Sequence, residues 1–297
     1  RCGLILDMPR AGVRALLPVV EAPLTFDAAG APEGVVMLGL PNASDWQQAE
    51  AFVRTGMPDV DEHLRPFKDG VLAATELRFD DWLNLFGPEL AYVADAAGQY
   101  SVLRLRDPET LARLLEVLQS KYNFRYAQRE VHGQTYAHLA FPPLEELAAR
   151  AYPALRTTIG TSPAERLWWR LFSFVPGHLY WKSEGQYLIV AQIPQVLIDR
   201  DRITTKTPIK SWLTEVQKLP GDDALFIASA QIEGVPKLLY AAYLQVLQSL
   251  GDLAGQPLDL FTLPSAMANS TSLASAKSSM RSASLPAWSL RGVCVRS

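Results

Sequence analysis

The sequence predicts an α+β fold with a mostly antiparallel sheet and helices packed on one sheet face. Three observations carry that expectation. Strand–cap–helix units recur along the chain. Hairpin signals fall between them, where a strictly alternating order would demand a parallel sheet. The stretch 142–177 carries no strand signal and divides the chain into two loosely repeated halves.

The clearest unit is "YSVLRLRDPETLARLLEVL", Tyr100 to Leu118. Leu103 and Leu105 alternate on one strand face. Asp107 is placed to cap a helix, and Pro108 fits its first position, where a missing N–H costs nothing. Leu111, Leu114, Leu115 and Leu118 then form one apolar stripe, with Arg113 and Glu116 away from it. A second unit, "VVMLGLPNASDWQQAEAFV", offers Ser44 and Gln47 at capping-box spacing, with Trp46, Ala49 and Val53 as its stripe. In "VLAATELRFDDWLNLFG" a strand is expected before Asp80 as cap. Trp82, Leu85 and Phe86 are its apolar side, and Gly87 is its stop. In "ALFIASAQIEGVPKLLYAAYLQVLQSL" Pro236 opens a helix whose inner face reads Leu239, Tyr243, Leu247 and Leu250. "QYLIVAQIPQVLIDR" is a weaker copy without a cap. Two hairpins are expected, one turning at Ala96-Ala97-Gly98 and one at His132-Gly133.

These signals divide the chain into a lead-in at 1–34, a first half at 35–141 and an aromatic-rich connector at 142–177. A second half follows at 178–263, then a tail at 264–297. The tail holds ten serines, four Lys or Arg and no acidic residue, a composition that buries little and is expected to stay unstructured. The chain begins at Arg1, and "RCGLILDMPRAGVRALLPVV" lacks the continuous apolar core of a signal peptide; it is read as an incomplete start.

Composition narrows the function classes. Hydrophobic residues make up 48% of the 297 positions, enough for a sizeable core. A net charge of −3 recommends no nucleic-acid partner. No apolar run reaches the ~18 residues of a membrane span. The two cysteines, Cys2 and Cys294, form no C-x-x-C pair and read as incidental thiols.

The order of motifs resembles a bacterial family known as domain of unknown function 3352. The resemblance covers roughly 71–232 and rests on three places. They are Phe86-Gly87-Pro88-Glu89 before a strand, Asp107-Pro108-Glu109 opening a helix, and the segment from Tyr187 to Leu197. It implies an extracytoplasmic protein, with a signal or membrane anchor preceding it. It implies no known activity and brings no catalytic residues. The 142–177 insertion departs from the family pattern.

Four histidines exist, His63, His132, His138 and His178, and no G-x-S-x-G, P-loop, G-x-G-x-x-G or H-E-x-x-H accompanies them. A hydrolase would have to assemble its site from scattered residues. Asp59, Asp61 and His63 sit at alternating spacing, but the glycine and closing glutamate of a calcium loop are absent, so the stretch reads as a solvated acidic loop. No metal or cofactor is expected. Six aromatics crowd residues 168–181. Trp168, Trp169, Phe172 and Trp181 read as a core plug or as a binding wall. The expected function is a non-catalytic extracytoplasmic domain that binds a protein or envelope partner, with a hydrolase as the alternative.

Overall fold

The computed structural model describes residues 2–7, 25–143, 146, 177–216, 224–231, 235–264 and 289–296. The chain adopts the expected α+β architecture around a mostly antiparallel sheet. The strands, in chain order, are β1 (Cys2–Asp7), β2 (Asp27–Ala29), β3 (Gly34–Gly39), β4 (Phe86–Asp95), β5 (Gly98–Leu105), β6 (Arg125–Val131), β7 (Gln134–Ala140), β8 (His178–Glu184), β9 (Tyr187–Ala191), β10 (Lys206–Pro208), β11 (Ala224–Gln231) and β12 (Ser289–Arg296). The helices are α1 (Ala43–Gly56), α2 (Val60–Thr75), α3 (Phe79–Asn84), α4 (Pro108–Tyr122), α5 (Pro194–Arg202) and α6 (Val235–Leu253). Ile209–Ser211 and a π turn at Trp212–Val216 add a short helical stretch after β10.

The main sheet runs β1-β12-β11-β3-β4-β5-β9-β8-β7-β6, and β2 pairs with β10 beside it. Among these pairings only β1 with β12 is parallel. The two sequence halves share this sheet. β8 and β9 of the second half lie between β5 and β7 of the first, so neither half closes a sheet alone.

Strand alternation sorts the side chains. Met37, Ala91, Val102 and Ile189 face one another across four strands, as the register requires. With Tyr136, Tyr180 and Ile227 they form the main core, closed by Val196, Leu197 and Ile198 of α5, Leu213, and Leu244 of α6. Leu139 and Trp181 point to the other side of β7 and β8. There they join Leu115, Tyr122 and Phe124, with Leu111, Leu118 and Ala74 packed against them. The burial fits two sides of one sheet, with α5 and α6 over one and α4 over the other.

The local signals held where they were strongest. Asp107 caps α4 through the Thr110 N–H at 3.0 Å, and both hairpins turn where expected. Gly98 carries φ +131, and a Cβ there would come within 3.1 Å of Val196, so the β4–β5 turn also lets α5 close in. α5 begins at Pro194 with no side-chain cap.

Five expectations need correction. Asn42, not Ser44, caps α1, in a reciprocal box with Asp45 at 2.9 Å each way. The buried face therefore includes Glu50, held by Trp46, Arg54 and Lys68, while Val53 is 41% exposed. The acidic stretch from Asp59 is helical: α2 runs through it and on to Thr75, where a strand was expected, and carries Pro66 inside. α3 starts at Phe79, one residue before the expected cap Asp80. Phe79 packs on Trp46 and Phe67, which turns Trp82 outward, and Phe86 and Gly87 already belong to β4. In α6 the expected inner residues Leu239, Tyr243 and Leu250 are exposed. Leu244 and Gln248 are the buried ones, because the helix is apolar on more than one side and position alone does not choose between them. At the far end, 289–296 forms β12 within the stretch expected to be unstructured, with Leu290, Val293 and Val295 in register with β1.

Leu115, 9% exposed at the centre of the second cluster, tests the α4 assignment. Leu115→Asp should lower the urea midpoint by the equivalent of about 3 kcal/mol or more, by burying an unpaired charge. Glu116→Ala, on the exposed side, should stay within about 0.5 kcal/mol of the parent. Equal midpoints for the two variants would refute the assignment of faces.

Candidate functional site

Polar residues in a buried helix mark where the chain departs from simple packing. Seven of the nine residues of α5 are buried, and three of them are Gln195, Asp199 and Arg200. Arg200 is 1% exposed. Its Nε and Nη2 donate to the two oxygens of Glu184 at 3.1 and 2.7 Å, a bidentate pair. Nη1 donates to the Tyr100 hydroxyl at 2.8 Å, and Nη2 also donates to the Asp27 carbonyl at 2.6 Å. One guanidinium thus ties α5 to β8, β5 and β2.

The network extends in both directions with alternating sign. Tyr100 donates to Asp95, which also accepts from the Ala29 and Ala97 N–H groups at 2.7 and 2.8 Å. On the other side Lys182 bridges Glu184 and Asp201, and Asp201 accepts from Tyr136. Burial pushes the Asp95 carboxyl up, and its donors only partly offset this. Burial acts on Glu184 in the same direction, but Arg200 and then Lys182 outweigh it and hold the carboxyl below its ordinary value.

A second arrangement joins α6 to the sheet. His138 on β7 and His178 on β8 stack at 19°, and His138 lies parallel to Tyr180 at 4.3 Å. Asp252 Oδ2 sits 2.8 Å from His178 Nε2, and His178 Nδ1 sits 2.9 Å from His138 Nε2. A carboxylate only accepts, so His178 Nε2 carries the proton; with that ring neutral, His138 Nε2–H donates to Nδ1. Gln248, one turn before Asp252, donates to the Tyr180 hydroxyl at 2.6 Å. Chemically the chain can orient an imidazole base. Among the described residues it ends at His138, with no hydroxyl or thiol nucleophile hydrogen-bonded to that ring.

A cavity of about 570 Å³ lies between α6, α5 and the sheet. Tyr92, Val190, Ala191, Ile193 and Val196 contribute apolar lining, as do Leu238 and Ala241 of α6. Gln245 donates to Gln192 at 2.6 Å, and Lys237 bridges Glu33 at 3.2 Å and the Asp95 carbonyl at 3.4 Å. All of these residues line it, as do Gln195 and Asp199.

Of the aromatic residues singled out in the sequence, Trp168, Trp169 and Phe172 lie outside the described residues. Trp181 stacks on Tyr126 at 5.7 Å and packs against the second cluster. His132 is 3.1 Å from an Arg202 nitrogen, and His63 lies 3.8 Å from Asp59 on α2. Sequence reasoning missed Gln195, Asp199 and Arg200, whose signal was polarity inside an apolar run. It missed the pairing of His138, His178 and Asp252 because nothing local announces contacts between residues 40 and 74 positions apart. Among the described residues no group of three or more His, Cys, Asp or Glu is placed to hold a metal ion, and no helix is long and apolar enough to cross a membrane. No family model, no curated protein and no solved structure matches this chain.

His138 gives the site a pH dependence. Burial, then His178 and Arg125, lower it from 6.5 to about 4, against the opposing pull of Asp252 and Asp259. Its contribution is therefore complete above about pH 6.5 and is lost as pH falls towards 4. Wild type should melt above His138→Gln at pH 7, and the gap should narrow steadily to pH 4. A gap in melting temperature that does not change with pH would contradict this.

Proposed function

We propose that the chain is a non-catalytic binding domain that holds a small, mainly apolar ligand beneath α6 and works with a protein or cell-envelope partner outside the cytoplasm. The cavity carries this reading. Its volume of about 570 Å³ falls within the roughly 300–1,000 Å³ of small-molecule sites. Its walls have the composition of such sites, apolar surface with a few polar groups. Its cover is one helix, tethered through Asp252, Gln248, Gln245 and Lys237.

The outer side of α6 supports the partner. Leu239, Tyr243 and Leu250 are 65%, 58% and 45% exposed, while Leu244 on the inner side is buried. A helix apolar on both sides has surface for a second contact. The location outside the cytoplasm comes from the resemblance to domain of unknown function 3352.

Nile red, a neutral apolar dye, tests the cavity. Wild type should brighten it, and Ala241→Trp, which fills the cavity from the α6 side, should abolish most of the signal while the melting temperature holds. An unchanged signal in a folded Ala241→Trp variant would place the dye elsewhere and sink the reading.

A further inference from the structure

We propose that the outer side of α6 pairs with the same helix of a second copy of this chain, antiparallel and about a two-fold axis. This rests on the reading of that side as a contact surface and is independent of the cavity.

Spacing carries the geometry. Leu239, Tyr243, Val246 and Leu250 are all exposed, and they follow one another at four, three and four positions. That is the repeat whose side chains interlock with a facing helix. At about 100° per residue the four fall in one narrow stripe, opposite the buried Leu244 and Gln248. A second helix on the stripe therefore leaves the inward bonds of Gln248 to Tyr180 and Asp252 to His178 in place.

The spacing reads the same in both directions. Turned end for end, an identical helix brings Leu250 opposite Leu239 and Val246 opposite Tyr243, each pair occurring twice about the axis. Every layer is then apolar, and the large tyrosine meets the smaller valine. In a parallel pair Tyr243 would face its own copy and Val246 its own, setting a wide layer beside a narrow one.

Charge selects the partner. α6 holds two charged residues, Lys237 and Asp252, and both are engaged within the chain, by Glu33 at 3.2 Å and by His178 at 2.8 Å. The positions flanking the stripe are Tyr240, Ala242, Leu247 and Ser249, none of them charged. An identical helix meets no like charge there, and a charged protein would find no group to pair with. A lipid surface is the poorer fit. Helices that lie in a membrane interface are rich in Lys and Arg on their polar side, whereas the one lysine of α6 is taken up by Glu33. Four side chains along about 17 Å of helix make a contact below the ~800 Å² per partner of a standard interface, so the pair should dissociate on dilution.

Sedimentation equilibrium of the full chain from about 1 μM to about 1 mM tests this. The mass should rise from monomer to dimer over that range. Tyr243→Lys and Val246→Glu, both at exposed positions, should keep the melting temperature of wild type and each weaken the dimer at least about tenfold. An equimolar mixture of the two variants should recover it. In the antiparallel pair the two introduced charges face each other in one layer, and the native Val246 and Tyr243 meet in the other. A wild type that stays monomeric, or variants that dimerise as wild type does, would overturn the proposal. A dimer lost in both variants and not recovered by mixing would overturn the antiparallel register. A monomeric wild type that binds phosphatidylglycerol vesicles, with binding lost in Val246→Glu, would overturn the second copy and retain the contact surface. A monomeric wild type that binds none would count against both.

Discussion

A buried guanidinium tolerates few arrangements, and Arg200 is the constraint on which the rest of this structure depends. Its partners come from three strands, and each supplies an acceptor at hydrogen-bond distance. Withdrawing one partner would leave a charge unanswered in the interior, at a cost of about 3–5 kcal/mol. An apolar side chain of similar shape could be as stable, so the network's contribution is uniqueness: α5 has one way to lie on the sheet. Asp95, Tyr100, Glu184, Lys182 and Asp201 extend this by alternating acceptors and donors, so that each charge faces an opposite one or a hydroxyl.

The cavity follows from that placement. With α5 fixed, Gln195, Val196 and Asp199 are presented as one wall. α6 is attached differently. Its inner face puts Leu244 into the core, and its polar tethers include Asp252 to His178, Gln248 to Tyr180 and Gln245 to Gln192. A rigid wall and a cover held by separable bonds are the physical ingredients of a site that admits a ligand. Burial of His138 beside His178 makes the stability of this part of the fold fall in acid.

The sequence made some of this legible and hid the rest for definite reasons. The α4 unit and both hairpins were readable because Asp107, Pro108, His132 and Gly133 act on their own neighbours. The α6 face was misread because leucine and tyrosine occupy both sides, and only the buried partners Tyr180 and His178 decide which side turns inward. The start of α2 reads as a loop because its acidic residues dominate it, and the part from Val71 reads as a strand, although one helix spans both. The site itself depends on pairs such as Tyr100 with Arg200, 100 positions apart, which no local pattern encodes. What the sequence did offer was Gln195, Asp199 and Arg200 inside "QIPQVLIDR". Polar residues at that density in a buried helix mark a network.

Amide hydrogen exchange in wild type and Arg200→Lys tests the constraint most directly. Lysine keeps the charge but loses the fork that holds Glu184, Tyr100 and Asp27 together. The amides of α5 and of Asp27–Ala29 should lose protection together, while the β6–β7 hairpin, which Arg200 does not touch, keeps its own. Unaltered protection across α5 in the Arg200→Lys protein would contradict the claim that this guanidinium fixes the wall of the site.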